Sequence, residues 1–251
     1  MTSYICKNSF EGVLCGVYDA WMGKKGHSQV RLDTEGSFEM SLFVEYISVE
    51  ESSEKAEKVI KAVRTKICEE AFEKIYIASL SQDTDRADKI YRFLVYGFHY
   101  GKRVMNMLTV PAVFDLFQIC RNVSRESHQW MEFIRFSETG EGLLFSRIGP
   151  KNAVLPLLAP HFSDRLSGET WMIFDENRKQ AVLFTPQKGW ILCEVDSKME
   201  ETIKNWQTDE NGYADLWKIF YHEIAIKERT NPACQRTHLP LRYRGYMTEF
   251  R

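Results

Sequence analysis

The 251-residue sequence lacks most of the patterns that would name a chemistry. It has no GxGxxG turn, no Walker loop, no HExxH helix and no paired-aspartate metal pattern, so neither a nucleotide cofactor nor a catalytic metal has sequence support, and no cofactor is expected. No apolar run approaches the ~18 residues that span a bilayer. The N-terminus has no basic region ahead of its apolar stretch, and Glu11 and Asp19 interrupt that stretch. It reads as a strand followed by a helix rather than a signal peptide, and a cytoplasmic protein is the expectation. There are six cysteines, Cys6, Cys15, Cys68, Cys120, Cys193 and Cys234, and no two have the spacing of a CxxC pair or a metal knuckle. Five lie in apolar-periodic segments, where a thiol acts as a small hydrophobe, and no iron–sulfur or zinc-ribbon site is expected. Nor is there an excess of positive charge: 33 Lys and Arg face 35 Asp and Glu, for a formal net charge of −2. A dedicated DNA-binding domain is usually basic, so nucleic-acid binding here requires the positive groups to converge in space.

What is present is globular. Hydrophobic residues make up 44% and aromatics 13% of the chain, enough for one large core or two modest ones and too much for disorder over the whole length. Tyr4 to Cys6 is a strand candidate. Ser9 can cap a helix with Phe10, Val13, Leu14, Val17, Tyr18 and Trp21 inward. Residues 40–49 alternate as a strand. Ser52 and Ser53 open a long helix whose stripe runs Ala56, Val59, Ile60, Val63, Ile67, Ala71, Ile75. Further helices begin near Asp83 and at Pro111, the latter reaching about Trp130. From there the period changes to 2. EFIRF and GLLFSRI flank a hairpin turn, and TWMIFD, AVLFT and WILCEV are three more strands. Between them lies a helix broken by Pro156 and Pro160. A last helix places Tyr213, Leu216, Trp217, Phe220 and Ile224 on one face, and Asn231-Pro232 stops it. The expectation is a single α+β domain: a helical layer over about 1–131, an antiparallel meander with helices over about 132–251, and an ordered basic tail.

Three groups of residues carry candidate chemistry. Arg121, Arg125 and His128 share a helix face that suits phosphates, or is a solvated helix side. Glu126 and His128, two apart, should point in different directions. His161 and Asp164, three apart in PHFSDR, can form an acid/base pair, or a hydrogen-bonded helix end. Asp175 ends a strand and suits turn chemistry. From Arg229 to Tyr246 the chain holds four arginines and no acid: Arg229, Arg236, Arg242 and Arg244. With Tyr243 and Tyr246 they can hold phosphate and stack on bases. Alternatively the tail wraps its own domain with its arginines pairing with acids such as Glu200, Glu201, Asp209 and Glu210. Residues 229–246 are expected to be ordered and packed against the body, with Leu239, Leu241 and Tyr243 as anchors, and at least two of Arg236, Arg242 and Arg244 are then expected to face a common surface with Arg121 or Arg125.

The stretches SFEGVLCGVYDAW, YRFLVYGF, VSRESHQWMEFIRF, LPLLAPHFSDR and IAIKERTNPACQRTHLPLRY together resemble a bacterial domain family of unknown function described as DNA-metabolism proteins. The most specific part is ERxNPxxQRxxxPxRY, carried by Glu228, Arg229, Asn231, Pro232, Gln235, Arg236, Pro240, Arg242 and Tyr243. The resemblance covers nearly the whole chain. It departs at Arg244, where the family commonly has Trp, and at Phe174, where it often has His. Family members are typically encoded beside a radical-SAM protein assigned to DNA modification or repair, and some longer members are fused to a uracil-DNA glycosylase-like domain. The resemblance implies a nucleic-acid-binding accessory of DNA metabolism with a radical-SAM protein partner. The alternatives are an enzyme acting on a nucleotide or damaged base through His161 and Asp164, and a protein–protein scaffold.

Overall fold

The computed structural model describes residues 1–38, 40–140, 142–206 and 213–250. The chain divides into two compact units, Met1–Arg125 and Glu126–Arg251, close to the expected change of period.

The first unit opens with β1 (Thr2–Cys6), α1 (Phe10–Met22), β2 (Val30–Thr34) and β3 (Glu45–Ser48). β1 lies between β2 and β3 and is parallel to both, with Ile5 opposite Asp33 and Ser48. All five of its residues are buried, as the central strand of a parallel sheet requires. α1 is the crossover from β1 to β2. Ser9 caps it, its hydroxyl accepting from the Gly12 amide at 2.8 Å, and Val13, Leu14 and Val17 face inward. Gly16 lets this helix close on the sheet, because a Cβ there would lie 2.1 Å from Cys6 Sγ.

β2 has no counterpart in the periodicity reading. Its apolar side is only Val30 and Leu32, both buried and too short a run to signal a strand, while Asp33 on the opposite side is buried and held by Ser3 Oγ at 2.6 Å and Arg31 Nε at 2.8 Å. The strand expected over 40–49 shrinks to Glu45–Ser48, because Phe43 takes a left-handed backbone (φ 65°) that no strand accommodates.

The long helix divides into α2 (Ser53–Lys66) and α3 (Glu69–Ser79). Ile67 and Cys68 leave the helical conformation, and Glu69 and Glu70 charge the first turn of α3 favourably. Ile67, Ala71 and Ile75 remain buried, so the apolar stripe survives the break and hides it in the sequence. α4 (Arg86–Tyr100) and α5 (Pro111–Phe133) follow as expected, and the boundary between the units falls within α5.

Glu51, after β3, sits at the N-terminus of α1, where parallel α/β sheets often bind a ligand's anion. Its carboxylate accepts from Ser9 Oγ and from Lys7 Nζ at 3.2 Å. The Ser9 hydroxyl, Lys7 and the Gly12 amide hold its pKa below the ordinary glutamate value against the opposing effect of burial. A depressed folded-state pKa gives stability that is present above the ordinary value and lost as pH falls through the lower one. Glu51→Gln is expected to flatten the fall of the urea-unfolding midpoint between about pH 5 and about pH 3. A midpoint profile identical to wild type would remove Glu51 as a source of acid sensitivity.

The second unit contains β4 (Ser137–Glu138), β5 (Leu144–Ile148), α6 (Leu155–Arg165), β6 (Trp171–Asp175), β7 (Gln180–Thr185), β8 (Gly189–Glu194), α7 (Ser197–Asn205), α8 (Tyr213–Glu223), α9 (Pro232–His238) and α10 (Leu241–Arg244). The five strands lie in chain order. β6, β7 and β8 form the expected antiparallel meander, and β4 pairs antiparallel with β5. β5 and β6 run parallel, joined over α6, so the sheet is mixed rather than wholly antiparallel. α6 is also unbroken. Pro156 falls in its first turn, where no N–H is needed, and Pro160 removes only one backbone bond from a helix packed through Leu155, Leu158 and Phe162.

The period of 2 sets the two faces. Trp171, Ile173, Val182 and Phe184 pack with Trp130, Phe133, Phe162 and Tyr243. Phe145, Met172, Phe174 and Ala181 pack with Ile203 of α7 on the other face.

Asn231 does not simply stop a helix. It caps α9, its side chain accepting from the Cys234 amide at 3.0 Å, with Pro232 in the first turn. α8, expected to bury one face, leaves Leu216, Trp217, Phe220 and Ile224 exposed.

Candidate functional site

The tail builds one wall of a site within the second unit. Tyr243 is fully buried, its ring against Trp130 and Phe133 at centroid distances of 4.7 and 5.1 Å. Its hydroxyl donates to Gln129 Oε1 at 2.7 Å. A base cannot stack on this ring, which corrects the role expected of Tyr243. Leu239 packs partly against the same core. Leu241 is 63% exposed and anchors nothing, because two positions from Tyr243 in a helical turn it points away. Residues 229–238 are exposed, so docking of the tail is confined to 239–250.

Arg242 does pair with an acid of its own unit, but not with one of those expected. Its Nη1 lies 3.0 Å from Oε1 of Glu126, a buried carboxylate near the C-terminal end of α5. Glu126 also accepts from the Lys151 amide at 2.9 Å and from the Asn152 amide and side chain at 2.8 and 2.6 Å. Arg242 Nη2 donates to the Tyr243 hydroxyl. Tail, helix and the loop after β5 are thereby tied through one carboxylate. Of the acids expected to pair, Glu200 binds Lys179 at 2.7 Å, while Asp209 and Glu210 lie outside the described residues. Arg244 Nη2 donates to Gln235 Oε1 at 3.2 Å and its guanidinium lies 4.9 Å from the Phe250 ring centroid.

Glu126 and His128 point in different directions, Glu126 inward and His128 into solvent, as helical spacing demands. Arg121 and Arg125 are exposed residues of the first unit, and Arg229 and Arg236 are exposed in the second. His161 is half-buried with its ring edge-on to Phe162, and Asp164 is exposed. Among the described residues no hydrogen bond or ion pair joins His161 to Asp164, so the expected acid/base contact is not formed. Asp175 behaves as the turn residue expected. Fully buried, it accepts from the amides of Asn177 and Arg178 at 2.9 and 3.2 Å and from Arg178 Nη1 at 3.1 Å. Burial raises its pKa against the opposing pull of Arg178.

A concavity of about 700 Å³ in the second unit opens beside the docked tail. Arg135, Arg147 and Arg242 contribute guanidinium groups, and Phe145, Trp206 and Tyr246 contribute rings. Arg135 is paired with Glu249 at 2.8 Å. Among the described residues no acid pairs with Arg147. At the inner wall the Tyr246 hydroxyl donates to Glu176 Oε1, and burial followed by that carboxylate raises the phenol's pKa above its ordinary range. Gly149 makes room for this pair, since a Cβ there would lie 2.1 Å from the Tyr246 oxygen.

Arg147, Glu176 and Trp206 were not singled out by motif reasoning. Each is an ordinary residue of a strand, a turn or a helix end; the parallel register of β5 and β6 brings Arg147 and Glu176 together, and the Trp206 ring packs on Phe145 at a centroid distance of 5.1 Å. Among the described residues no three His, Cys, Asp or Glu side chains gather as a metal ion would need, and no helix is long and apolar enough to cross a membrane.

No curated protein matches the chain. Residues 84–249, from the start of α4 through the docked tail, match the model of a family described as a domain of unknown function, DUF4130. That segment is more than half of the chain and contains the whole cleft and the Glu126 network, and the protein belongs to this family.

Proposed function

We propose that the protein binds nucleic acid through its second unit, as an accessory of DNA metabolism in the cytoplasm. The observation that carries the reading is the cleft: guanidinium groups and aromatic rings line one concavity, and Arg147 has no acid partner among the described residues. Arginine beside aromatic rings is the combination that holds phosphate and unpaired bases. It also answers the objection from net charge, since a local positive site does not need a basic chain. The radical-SAM partner implied by the family resemblance would supply the covalent chemistry, and this chain the grip on the strand.

Fluorescence anisotropy on single- and double-stranded oligonucleotides across a salt series tests the proposal. Arg147→Gln is expected to lower the slope of log K against log[salt] by about one contact's worth. An unchanged slope would take Arg147 out of the interface. Arg242 is the wrong residue for this test, because its guanidinium already serves Glu126.

A protein-only scaffold is favoured by one observation, the exposed Leu216, Ile219 and Phe220 of α8. That reading predicts no oligonucleotide binding at any salt concentration.

A further inference from the structure

We propose that the cleft beside the tail seats a single unpaired nucleotide, Arg147 taking its phosphate and Glu176 accepting a hydrogen bond from an amino group on the base edge. This rests on the nucleic-acid reading and makes it specific.

Size comes first. About 700 Å³ is the scale of a pocket for one small molecule, and a stacked duplex does not enter such a space. The walls come next. Trp206 and Tyr246 offer ring surface, which any base can use and which carries no preference. Arg147 offers a guanidinium that makes no ion pair among the described residues, suited to a phosphate.

Glu176 is the informative member. A carboxylate in a phosphate-binding cleft is repulsive to backbone, so its place is at the base. One of its oxygens is engaged by the Tyr246 hydroxyl, which donates to it. The other can accept one further hydrogen bond. Cytosine and adenine present exocyclic amino groups as donors, and guanine presents an amino group beside its ring N–H. Thymine and uracil present carbonyl oxygens on either side of their single ring N–H, and these face a carboxylate unfavourably. The cleft should therefore prefer amino-bearing bases. Gly149 belongs to the device, since any side chain there would displace Tyr246 and release Glu176.

Calorimetric titration of the full chain with dCMP, dAMP, dTMP and deoxycytidine tests this, alongside oligo-dC and oligo-dT. dCMP and dAMP should bind about tenfold or more tightly than dTMP, the scale of one hydrogen bond to a charged group. Glu176→Gln, whose oxygen still accepts from Tyr246 and whose free amide nitrogen then only donates, should abolish the preference for dCMP and dAMP or shift it toward dTMP, with the thermal unfolding midpoint unchanged to show that the unit is intact. Arg147→Gln should weaken all three monophosphates and leave deoxycytidine as it was. Equal binding of dCMP and dTMP by the wild type overturns the base-edge role of Glu176. Oligonucleotide binding with no mononucleotide binding overturns the cleft and leaves the parent reading standing. Binding of neither removes both.

Discussion

Glu126→Ala is expected to lower the stability of the second unit by about 3 kcal/mol, the low end of what breaking a buried charged network costs. The residue is buried, and its carboxylate satisfies the amides of Lys151 and Asn152, the Asn152 side chain and Arg242. Removing it strips the charged acceptor from all four groups at once. For a unit of this size the loss corresponds to a fall of roughly 10 °C in thermal midpoint.

Arg242→Ala should cost far less, about 1 kcal/mol. Its side chain is 37% exposed, so solvent already screens the pair, and Glu126 would keep its three N–H donors. The ordering of the two variants in a urea titration decides which contacts matter. A larger loss for Arg242→Ala would mean that the ion pair, rather than the hydrogen bonds to the loop after β5, holds this corner together.

Glu126 also marks where sequence reasoning succeeded and where it stopped. The helical spacing of α5 correctly separated Glu126 from His128, because side-chain direction on a helix is a local property. Nothing local says that residues 151, 152 and 242 return to the same carboxylate. The same divide runs through the fold. The helix cap at Ser9, the strands of the meander and the Asx turn at Asp175 were legible, each depending on neighbours a few residues away. β2 was not, because its alternation offers only two apolar residues, Val30 and Leu32, and the Ser3 hydroxyl that lets Asp33 be buried comes from another strand. The parallel register of β5 and β6 was not either, since α6 reads equally well as a helix beside two consecutive antiparallel strands.

In the site, charge misled. Arginine density drew attention to 229–246, yet Arg242 is committed to Glu126 and Tyr243 to the core. The cleft arginine without an acid partner among the described residues is Arg147, a single residue of a short strand that no composition window detects.

Tyr243→Ala should be the most damaging single change in the tail, at about 4 kcal/mol, in the range for truncating a fully buried aromatic side chain. The ring fills space against Trp130 and Phe133, and its hydroxyl bonds Gln129 and Arg242. Tyr243→Phe keeps the packing and leaves the Gln129 oxygen without its donor, a loss of about 1 kcal/mol. Leu241→Ala, at an exposed position two residues away, should fall within about 0.5 kcal/mol of wild type. Chemical denaturation gives the three values, and limited proteolysis reports whether 239–250 has come away. Leu241, Arg242, Gly245 and Tyr246 all line the cleft, so release of the tail should also abolish nucleotide binding. Tyr243→Phe, which keeps the tail docked, should retain it. If Tyr243→Ala binds nucleotide normally while its tail is cut by protease, the wall of the site lies elsewhere. The arginines at 229–244 would then have to be tested as a surface that works without docking.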